Sequence, residues 1–162
     1  MTVSTIILAA GKGTRMKSPT PKILHKIGGK HLIAFGVDLA KTVKSKETIV
    51  VVGNENEHAT KVALSGEAVK FCTQKSQLGT GDAVKVALEG FKIKSKYTLI
   101  LYGDTPFIKN NTIKKMISKA EKGFEFIFLG FRATKENSYG KFKLGPKRTL
   151  IDIIEKNEPG FN

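Results

Sequence analysis

The sequence predicts a doubly wound α/β domain built on a mostly parallel sheet. Short apolar runs alternate with amphipathic stretches along the chain, as strands and helices do in α/β proteins. The first run, Val3–Ala9, is apolar over most of its length, which is typical of a central parallel strand buried on both faces. Because the chain has 162 residues, we expect one domain, residues 1–162.

Further strands and helices are predicted in order along the chain. The strands are expected at residues 48–52, 69–73, 97–102 and 124–131, the last of which is rich in Phe and Ile. The helices are expected at residues 31–43, 57–64, 81–88 and 111–120. Right-handed crossovers then place helices on both faces of the sheet. Residues 142–144 and 149–154 flank Gly145-Pro146, which predicts a hairpin.

The net charge of +14 comes from 28 basic and 14 acidic residues, and it favours an anionic partner. Only Arg15, Arg132 and Arg148 are arginines, although arginine is the residue best suited to reading base edges. The simplest interpretation is a solvated, lysine-rich surface. A positive cleft for small phosphorylated ligands and a nucleic-acid face are the alternatives, and we expect no nucleic-acid partner.

Other classes of protein are disfavoured by composition. Apolar runs fall well short of the roughly 18 residues that span a bilayer, so we expect no membrane partner. Cys72 is the one cysteine, which excludes an intrachain disulfide and fits a reducing compartment, so we expect a cytoplasmic protein. His25, His31 and His58 lack metal-ligand spacing and are expected to be structural or exposed.

Three loops follow predicted strands at the edge of the sheet where such folds bind ligands. The first is LAAGKGTRM, residues 8–16, followed by Pro21-Lys22. Its small residues let the backbone amides approach oxyanions, and Arg15 and Lys22 add positive charge. It contains no G-x-x-x-x-G-K-[ST] string, and Met16 stands where a dinucleotide fingerprint has its third glycine. Taken alone, it is also compatible with a plain strand-to-helix turn.

The second and third loops carry a side-chain amide and a carboxylate. QKSQLGTGDA, residues 74–83, begins with Gln74, whose amide suits the edge of a nucleobase. YGDTP, residues 102–106, places Asp104 directly after a strand. There the carboxylate can hold Mg²⁺ against phosphate oxygens, and Gly103 lets a ligand lie against the chain. Each loop taken alone is also compatible with an ordinary turn.

Together, these loops resemble the sugar-phosphate nucleotidyltransferases. Within that group, they most resemble one family, the bifunctional N-acetylglucosamine-1-phosphate uridyltransferase/glucosamine-1-phosphate acetyltransferases. The resemblance is to the N-terminal uridylyltransferase domain of that family. Two later motifs match in the same order, SYGK at residues 138–141 and IEK at residues 154–156. The match runs from about residue 3 to residue 155, and the ordered set of motifs makes it specific.

The resemblance implies a role for each motif residue. It assigns uracil recognition to Gln74, phosphate binding to Lys22 and a magnesium ligand to Asp104, and Arg15 stabilises the triphosphate as pyrophosphate leaves. The implied catalytic residues are Arg15, Lys22 and Asp104. The implied nucleotide-binding residues are Leu8, Ala9, Ala10, Gly11, Gly13, Gln74, Gly79 and Thr80. The implied sugar-binding residues are Tyr102, Gly103, Gly140 and Glu155.

The implied activity is an enzymatic transfer of UMP from UTP to N-acetylglucosamine 1-phosphate, with Mg²⁺ as cofactor. The products are pyrophosphate and UDP-N-acetylglucosamine, a precursor of peptidoglycan and the cell wall. Both reactants are anions, so charge neutralisation and positioning can supply the catalysis. A side-chain nucleophile is therefore unnecessary.

The family's domain continues beyond the position of Asn162. That continuation supplies further sugar contacts and an asparagine that is the second magnesium ligand, and the β-helix acetyltransferase domain lies beyond it. We therefore expect a C-terminally truncated domain that does not acetylate, and its turnover is left open as either intact or impaired by the truncation. We also expect its sheet edge to allow self-association.

Three other hypotheses stay open at this point. One is a non-catalytic remnant that binds nucleotide sugar without turnover. Another is a related transferase for a different base or sugar, such as a cytidylyl or thymidylyl transferase. The third is a basic nucleic-acid binder, which only the charge favours.

Overall fold

A computed structural model describes residues 2–76, 78–133, 139–146, 149–156 and 158–160. Gln77, Ser138, Arg148 and Asn162, all used in the sequence analysis, lie outside these ranges. The chain divides into two compact units, residues 1–123 and 124–162, and each is described by itself. The expectation of a single domain over residues 1–162 stays a prediction.

Within residues 2–76 and 78–123, the structure describes six strands and four helices in the first unit. The strands are β1 (Val3–Ala9), β2 (Lys26–Ile27), β3 (Lys30–His31), β4 (Thr48–Gly53), β5 (Lys70–Gln74) and β6 (Tyr97–Tyr102). The helices are α1 (Leu32–Thr42), α2 (Glu57–Ala63), α3 (Thr80–Gly90) and α4 (Asn110–Glu121). Two short 3-10 turns cover Thr14–Met16 and Lys22–Leu24. All four predicted helices and the first four predicted strands are confirmed, and β1 and β6 have the predicted bounds.

Four strands form a parallel sheet in the order β5-β4-β1-β6. Ile6 of β1 lies opposite Ile49 of β4 on one side and Ile100 of β6 on the other. The chain crosses from β1 to β4 and then to β5 in one direction, and β6 pairs with the opposite side of β1. Strand order therefore reverses at β1, so the carboxyl ends of β1 and β6 mark the switch point where such sheets bind ligands.

Helices cover both faces of the sheet, as predicted. Alternate residues of β1 point to opposite faces, with Ile7 in one buried cluster and Ile6 in the other. The first cluster includes Ile33 of α1 and Ile113 of α4, and the second includes Ala83 and Ala87 of α3. β1 is thus the central strand that its apolar sequence predicts.

The hairpin of β2 and β3 was not predicted. Each of its strands has two residues, Lys26↔His31 and Ile27↔Lys30, and the turn between them holds Gly28 and Gly29 at φ values of 57° and 80°. Two-residue strands are too short to show a period of two, so only the paired glycines could have indicated the turn.

The second unit contains an antiparallel hairpin of β7 (Lys141–Leu144) and β8 (Leu150–Ile154), which confirms the predicted hairpin. The strand predicted at residues 124–131 is wrong, because the backbone there is irregular. Phe126 and Phe131 in this segment are 79% and 70% exposed. An apolar sequence becomes a strand only where a neighbouring strand accepts its hydrogen bonds, and no described strand pairs with these residues.

Among the described residues, no helix has both the length and the apolar character needed to cross a membrane.

Gly36 lies in the interior of α1, where glycine is normally unfavourable. An added Cβ would make ordinary contacts with Ile7, at 3.5 Å from Cδ1 and 3.6 Å from Cγ2. We expect Gly36→Ala to stabilise the fold by about 0.5–1 kcal/mol, because alanine restricts the unfolded chain and prefers the helix. Urea denaturation checks this. Gly36→Leu is the matched control, and it should destabilise because a larger side chain collides with Ile7. Loss of stability in Gly36→Ala would contradict this account of the packing.

Candidate active site

The loop after β1 is shaped by Gly13. Gly13 has a φ of 63° and precedes the 3-10 turn Thr14–Met16. A Cβ at Gly13 would lie 2.8 Å from the Cβ of Lys22, which is closer than two such atoms can approach. The glycine thus allows both the left-handed backbone and the close return of the chain at Lys22. At Gly11, by contrast, no heavy atom of the described residues lies within 4 Å of an added Cβ.

Lys22 and Asp104 form an ion pair at the switch point. Lys22 Nζ lies 2.7 Å from Asp104 Oδ2, and the two side chains are 40% and 32% exposed. Lys22 begins a 3-10 turn whose Ile23 and Leu24 are buried, and Asp104 lies two residues after Tyr102, the last residue of β6. A partly exposed pair of this kind contributes at most about 1 kcal/mol to stability. It can therefore exchange its partners for those of a ligand at little cost to the fold.

Gly103 brings the carboxyl ends of β1 and β6 together. Its N–H donates to the carbonyl of Leu8 at 2.8 Å. A Cβ at this position would lie 3.1 Å from that carbonyl oxygen and 3.4 Å from Ile23 Cγ2. The sequence analysis explained Gly103 by ligand approach, whereas the structure gives it a packing role that places Asp104 beside the turn of Lys22.

Asn56 connects the ends of β1 and β4, and the sequence analysis missed it. Its buried side chain donates from Nδ2 to the carbonyl of Ala9 at 2.8 Å and accepts at Oδ1 from the N–H of Gly53 at 3.0 Å. Beside it, Lys12 Nζ lies 3.1 Å from Glu55 Oε1. The available signal was an Asn and a Glu placed directly after a buried strand, at the same sheet edge as the other loops.

Gln74 ends β5 and is almost completely buried, with 3% of its surface exposed. Its Nε2 donates to the carbonyl of Gly79 at 3.1 Å and to Asp82 Oδ2 at 2.6 Å. Gly79 has a φ of 108° and occupies the N-cap position of α3, and Thr80 is the first residue of that helix. The structure therefore brings together three of the predicted nucleotide-binding residues, Gln74, Gly79 and Thr80, at the end of β5.

The other predicted site residues fall into two groups. In the first unit, Arg15 is exposed in the turn Thr14–Met16, and Tyr102 is 50% exposed at the end of β6. In the second unit, Gly140 and Glu155 come together, since a Cβ at Gly140 would lie 3.1 Å from Glu155 Oε1. The structure therefore brings Gly140 and Glu155 together, whereas no hydrogen bond joins Arg15 to Tyr102 among the described residues.

Cys72 and two of the histidines have structural surroundings, as predicted. Cys72 packs against the α3 side of the core, and burial raises the pKa of its thiol, which makes it a poor nucleophile. His31 Nδ1 donates to the carbonyl of Leu24 at 2.6 Å, and His25 Nε2 lies 3.2 Å from the carbonyl of Thr20. Within the described ranges, no three His, Cys, Asp or Glu side chains form a group that could hold a metal.

Asp104 can nevertheless take part in magnesium binding of a different kind. The ammonium group of Lys22 lies 2.7 Å from its carboxylate, so a cation is already accommodated at this oxygen. Mg²⁺ is commonly held by one or two carboxylates together with substrate phosphates and water. One exposed carboxylate beside a loop suited to phosphates fits that arrangement.

The fold and the site together define a class of protein. A parallel sheet with its strand order reversing at β1 carries a glycine-shaped loop, a Lys–Asp pair and an amide-bearing loop on one edge. These features are typical of an α/β domain that binds nucleotides. The chain belongs to the family of the MobA-like NTP transferase domain, whose model matches residues 5–152. The resemblance to sugar-phosphate nucleotidyltransferases is thereby confirmed.

Curated relatives are similar in sequence to this chain over almost its whole length. The bifunctional protein GlmU of Buchnera aphidicola subsp. Schizaphis graminum is 38% identical over 161 residues, which are 99% of this chain and 34% of the relative. GlmU of Caldicellulosiruptor saccharolyticus is 43% identical over 156 residues, 94% of this chain and 33% of the relative. The chain spans about a third of the length of these relatives.

Solved structures support the fold. A Bacillus anthracis protein assigned to the glucose-1-phosphate thymidylyltransferases superposes with a TM-score of 0.73 at 19% identity, covering 95% of this chain and 64% of that one. Rv0371c of Mycobacterium tuberculosis gives a TM-score of 0.64 at 20% identity, with coverage of 75% and 61%. At these identities the likeness establishes a shared nucleotidyltransferase architecture and confirms the predicted fold class.

The geometry of the β1 loop makes a prediction about its two glycines. We expect Gly13→Ala to destabilise the chain by about 1–2 kcal/mol, because alanine is strained at a positive φ and its Cβ meets Lys22. Gly11→Ala is the matched control, with open space around the added methyl group, and should leave the melting temperature nearly unchanged. Equal melting temperatures for the two variants would contradict the role given to Gly13.

Proposed function

We propose that this chain transfers UMP from UTP to N-acetylglucosamine 1-phosphate, releasing pyrophosphate. The proposal is supported by the family, by the relatives named GlmU and by the ordered motifs. The observation that carries it is the ion pair of Lys22 and Asp104 beside the β1 loop. It provides one group for phosphate and one for a metal cation at a distance that a metal-bound triphosphate can bridge.

The nucleotide is proposed to lie along the carboxyl ends of β1 and β5. The backbone of Leu8, Ala9, Ala10 and Gly11 approaches the ligand, and the open space at Gly11 leaves room for that approach. Gln74, Gly79 and Thr80 receive the base. The side chain of Asn56 donates a hydrogen bond to the carbonyl of Ala9. This contact holds the backbone in place at the start of the loop. This division assigns the phosphates to the first loop and the base to the second.

Asp104 is the proposed carboxylate ligand of Mg²⁺, which when bound neutralises phosphate charge and orients the triphosphate. Lys22 and Arg15 are proposed to contact the phosphates. Two anions must meet in this reaction, so each fixed positive charge lowers the repulsion between them and stabilises the charge on the leaving pyrophosphate.

The reaction is an in-line displacement at phosphorus. An oxygen of the sugar 1-phosphate forms a bond to the α-phosphorus of UTP, and the bond from that phosphorus to the bridging oxygen of the β-phosphate breaks. The electron pair leaves with pyrophosphate, so no residue needs to become covalently modified. The sugar-binding roles that the resemblance implies for Tyr102 and Gly103, and separately for Gly140 and Glu155, stay predictions. A cytoplasmic location and self-association through the sheet edge stay predictions.

Pyrophosphate release from UTP and N-acetylglucosamine 1-phosphate tests this function directly. We expect Mg²⁺-dependent release that Asp104→Asn reduces by about a hundredfold or more, since loss of one charge-stabilising group costs that much in comparable sites. Glu89→Gln is the matched control. It removes the same charge from an exposed carboxylate on α3 that pairs with Lys85, and it should retain the wild-type rate.

Two other results would point elsewhere. If the chain binds UDP-N-acetylglucosamine saturably but releases no pyrophosphate, it is a nucleotide-sugar-binding protein without turnover. Release that survives Asp104→Asn unchanged would remove Asp104 from the catalytic residues.

The Lys22–Asp104 pair also predicts opposite effects on two ligands. In Lys22→Gln, Mn²⁺ should bind about two- to fivefold more tightly in the absence of nucleotide, because no ammonium group competes for Asp104. The same variant should bind UTP with Mg²⁺ more weakly, because a phosphate contact is lost. Electron paramagnetic resonance of free Mn²⁺ and calorimetry with UTP measure the two affinities.

Lys12→Gln is the control for long-range charge, since Lys12 pairs with Glu55 instead. If the two variants change Mn²⁺ affinity equally, the direct competition of Lys22 for Asp104 is excluded.

A further inference from the structure

The amide of Gln74 is held in one orientation by its two neighbours. Both partners of its Nε2 are oxygens that only accept hydrogen bonds, the carbonyl of Gly79 at 3.1 Å and the carboxylate of Asp82 at 2.6 Å. An amide turned over would place its own oxygen against both of them, which is repulsive. The chemistry of the two partners therefore requires the NH₂ group to face them.

The two acceptors are themselves fixed by the start of α3. The carbonyl of Gly79 also accepts the N–H of Ala83 at 3.2 Å, the first hydrogen bond of that helix. Asp82 lies in the first turn of α3, where a negative charge is favourable for the helix dipole. The carbonyl of Gly79 cannot turn away without breaking this hydrogen bond, so the orientation of the Gln74 amide depends on the start of α3.

The NH₂ group of Gln74 is occupied by these two hydrogen bonds, so the side chain can offer a ligand only its acceptor atom. The hydrogen-bonding atom of Gln74 that takes no part in these two contacts is Oε1. Because Gln74 is 3% exposed, a ligand can reach only one edge of the side chain. Recognition at this point is therefore a single hydrogen bond in which the ligand donates.

We infer that Asp82 is a specificity-determining residue that selects nucleobases with a ring N–H donor. The inference rests on the proposed function, which brings a base to Gln74. Uracil and thymine carry a hydrogen on N3, whereas N3 of cytosine is an acceptor and would face Oε1 with a lone pair. Asp82 acts through Gln74 and touches no substrate, so it is a positioning residue.

The test is the discrimination between UTP and CTP in the variant Asp82→Asn. Asparagine has the same shape, but its side chain can also present NH₂ to Gln74, so a turned-over Gln74 amide gains a donor partner here and only the carbonyl of Gly79 still opposes it. We expect the affinity ratio of UTP to CTP to fall about tenfold, which corresponds to one hydrogen bond. Most of the change should be a gain in CTP affinity, measured by calorimetric titration with Mg²⁺.

The ratio separates a role in selection from a role in folding. A loss of structure weakens both nucleotides alike and leaves the ratio unchanged. Asp82→Ala is the second variant, and it should lower the ratio less, because alanine offers no donor to a turned-over amide and the carbonyl of Gly79 still opposes that orientation. Glu89→Gln, at a carboxylate later in the same helix, should keep the wild-type ratio.

The outcomes distinguish this inference from the function on which it rests. If the wild-type protein binds neither nucleotide, the proposed function fails. If it binds UTP in preference to CTP and Asp82→Asn keeps that preference, the role of Asp82 is overturned and the proposed function stands. A preference for CTP in the wild-type protein would contradict the orientation of the amide.

Discussion

The site depends on the close approach of two parallel strands at their carboxyl ends. The hydrogen bond from the N–H of Gly103 to the carbonyl of Leu8 completes the pairing of β1 and β6, and a Cβ at Gly103 would lie 3.1 Å from that carbonyl oxygen, closer than most Cβ contacts. That constraint places Asp104 next to the turn of Lys22 and sets the crevice at which the strand order reverses. A side chain at position 103 would separate the two strands and with them the two charges.

The loops around this point are held mainly by contacts to the backbone. Asn56 fixes the carbonyl of Ala9, His31 fixes the carbonyl of Leu24, and the carbonyl of Gly79 anchors Gln74. A hydrogen bond to a carbonyl group limits the rotation of its peptide unit and therefore the conformations open to the next residue. The loops therefore reach their shape before a ligand arrives, which reduces the ordering entropy that binding must overcome.

The sequence allowed most of the sheet to be predicted, and the reasons are visible in particular elements. β1 and β6 could be predicted with their bounds because β1 is buried along nearly its whole length and β6 is buried at Leu99 and Leu101, which gives a strong apolar signal. The segment 124–131 has an equally apolar sequence, but pairing depends on a neighbour that local sequence does not specify. The motifs indicated candidate site residues, yet the contacts of Asn56 with Ala9 and of Gln74 with Gly79 and Asp82 cannot be read from the motifs. Composition and periodicity carry no information on such contacts.

The ion pair of Lys22 and Asp104 makes the centre of the site locally neutral, although the chain as a whole carries +14. Under the proposed function, a metal-bound nucleotide would bring one cation and several anionic oxygens, so its arrival would be an exchange of counterions in which each fixed charge trades one partner for another. Attraction at long range would come from the lysine-rich surface and be screened by salt. Ionic strength would then change the rate at which the proposed nucleotide arrives more than the strength with which it is held.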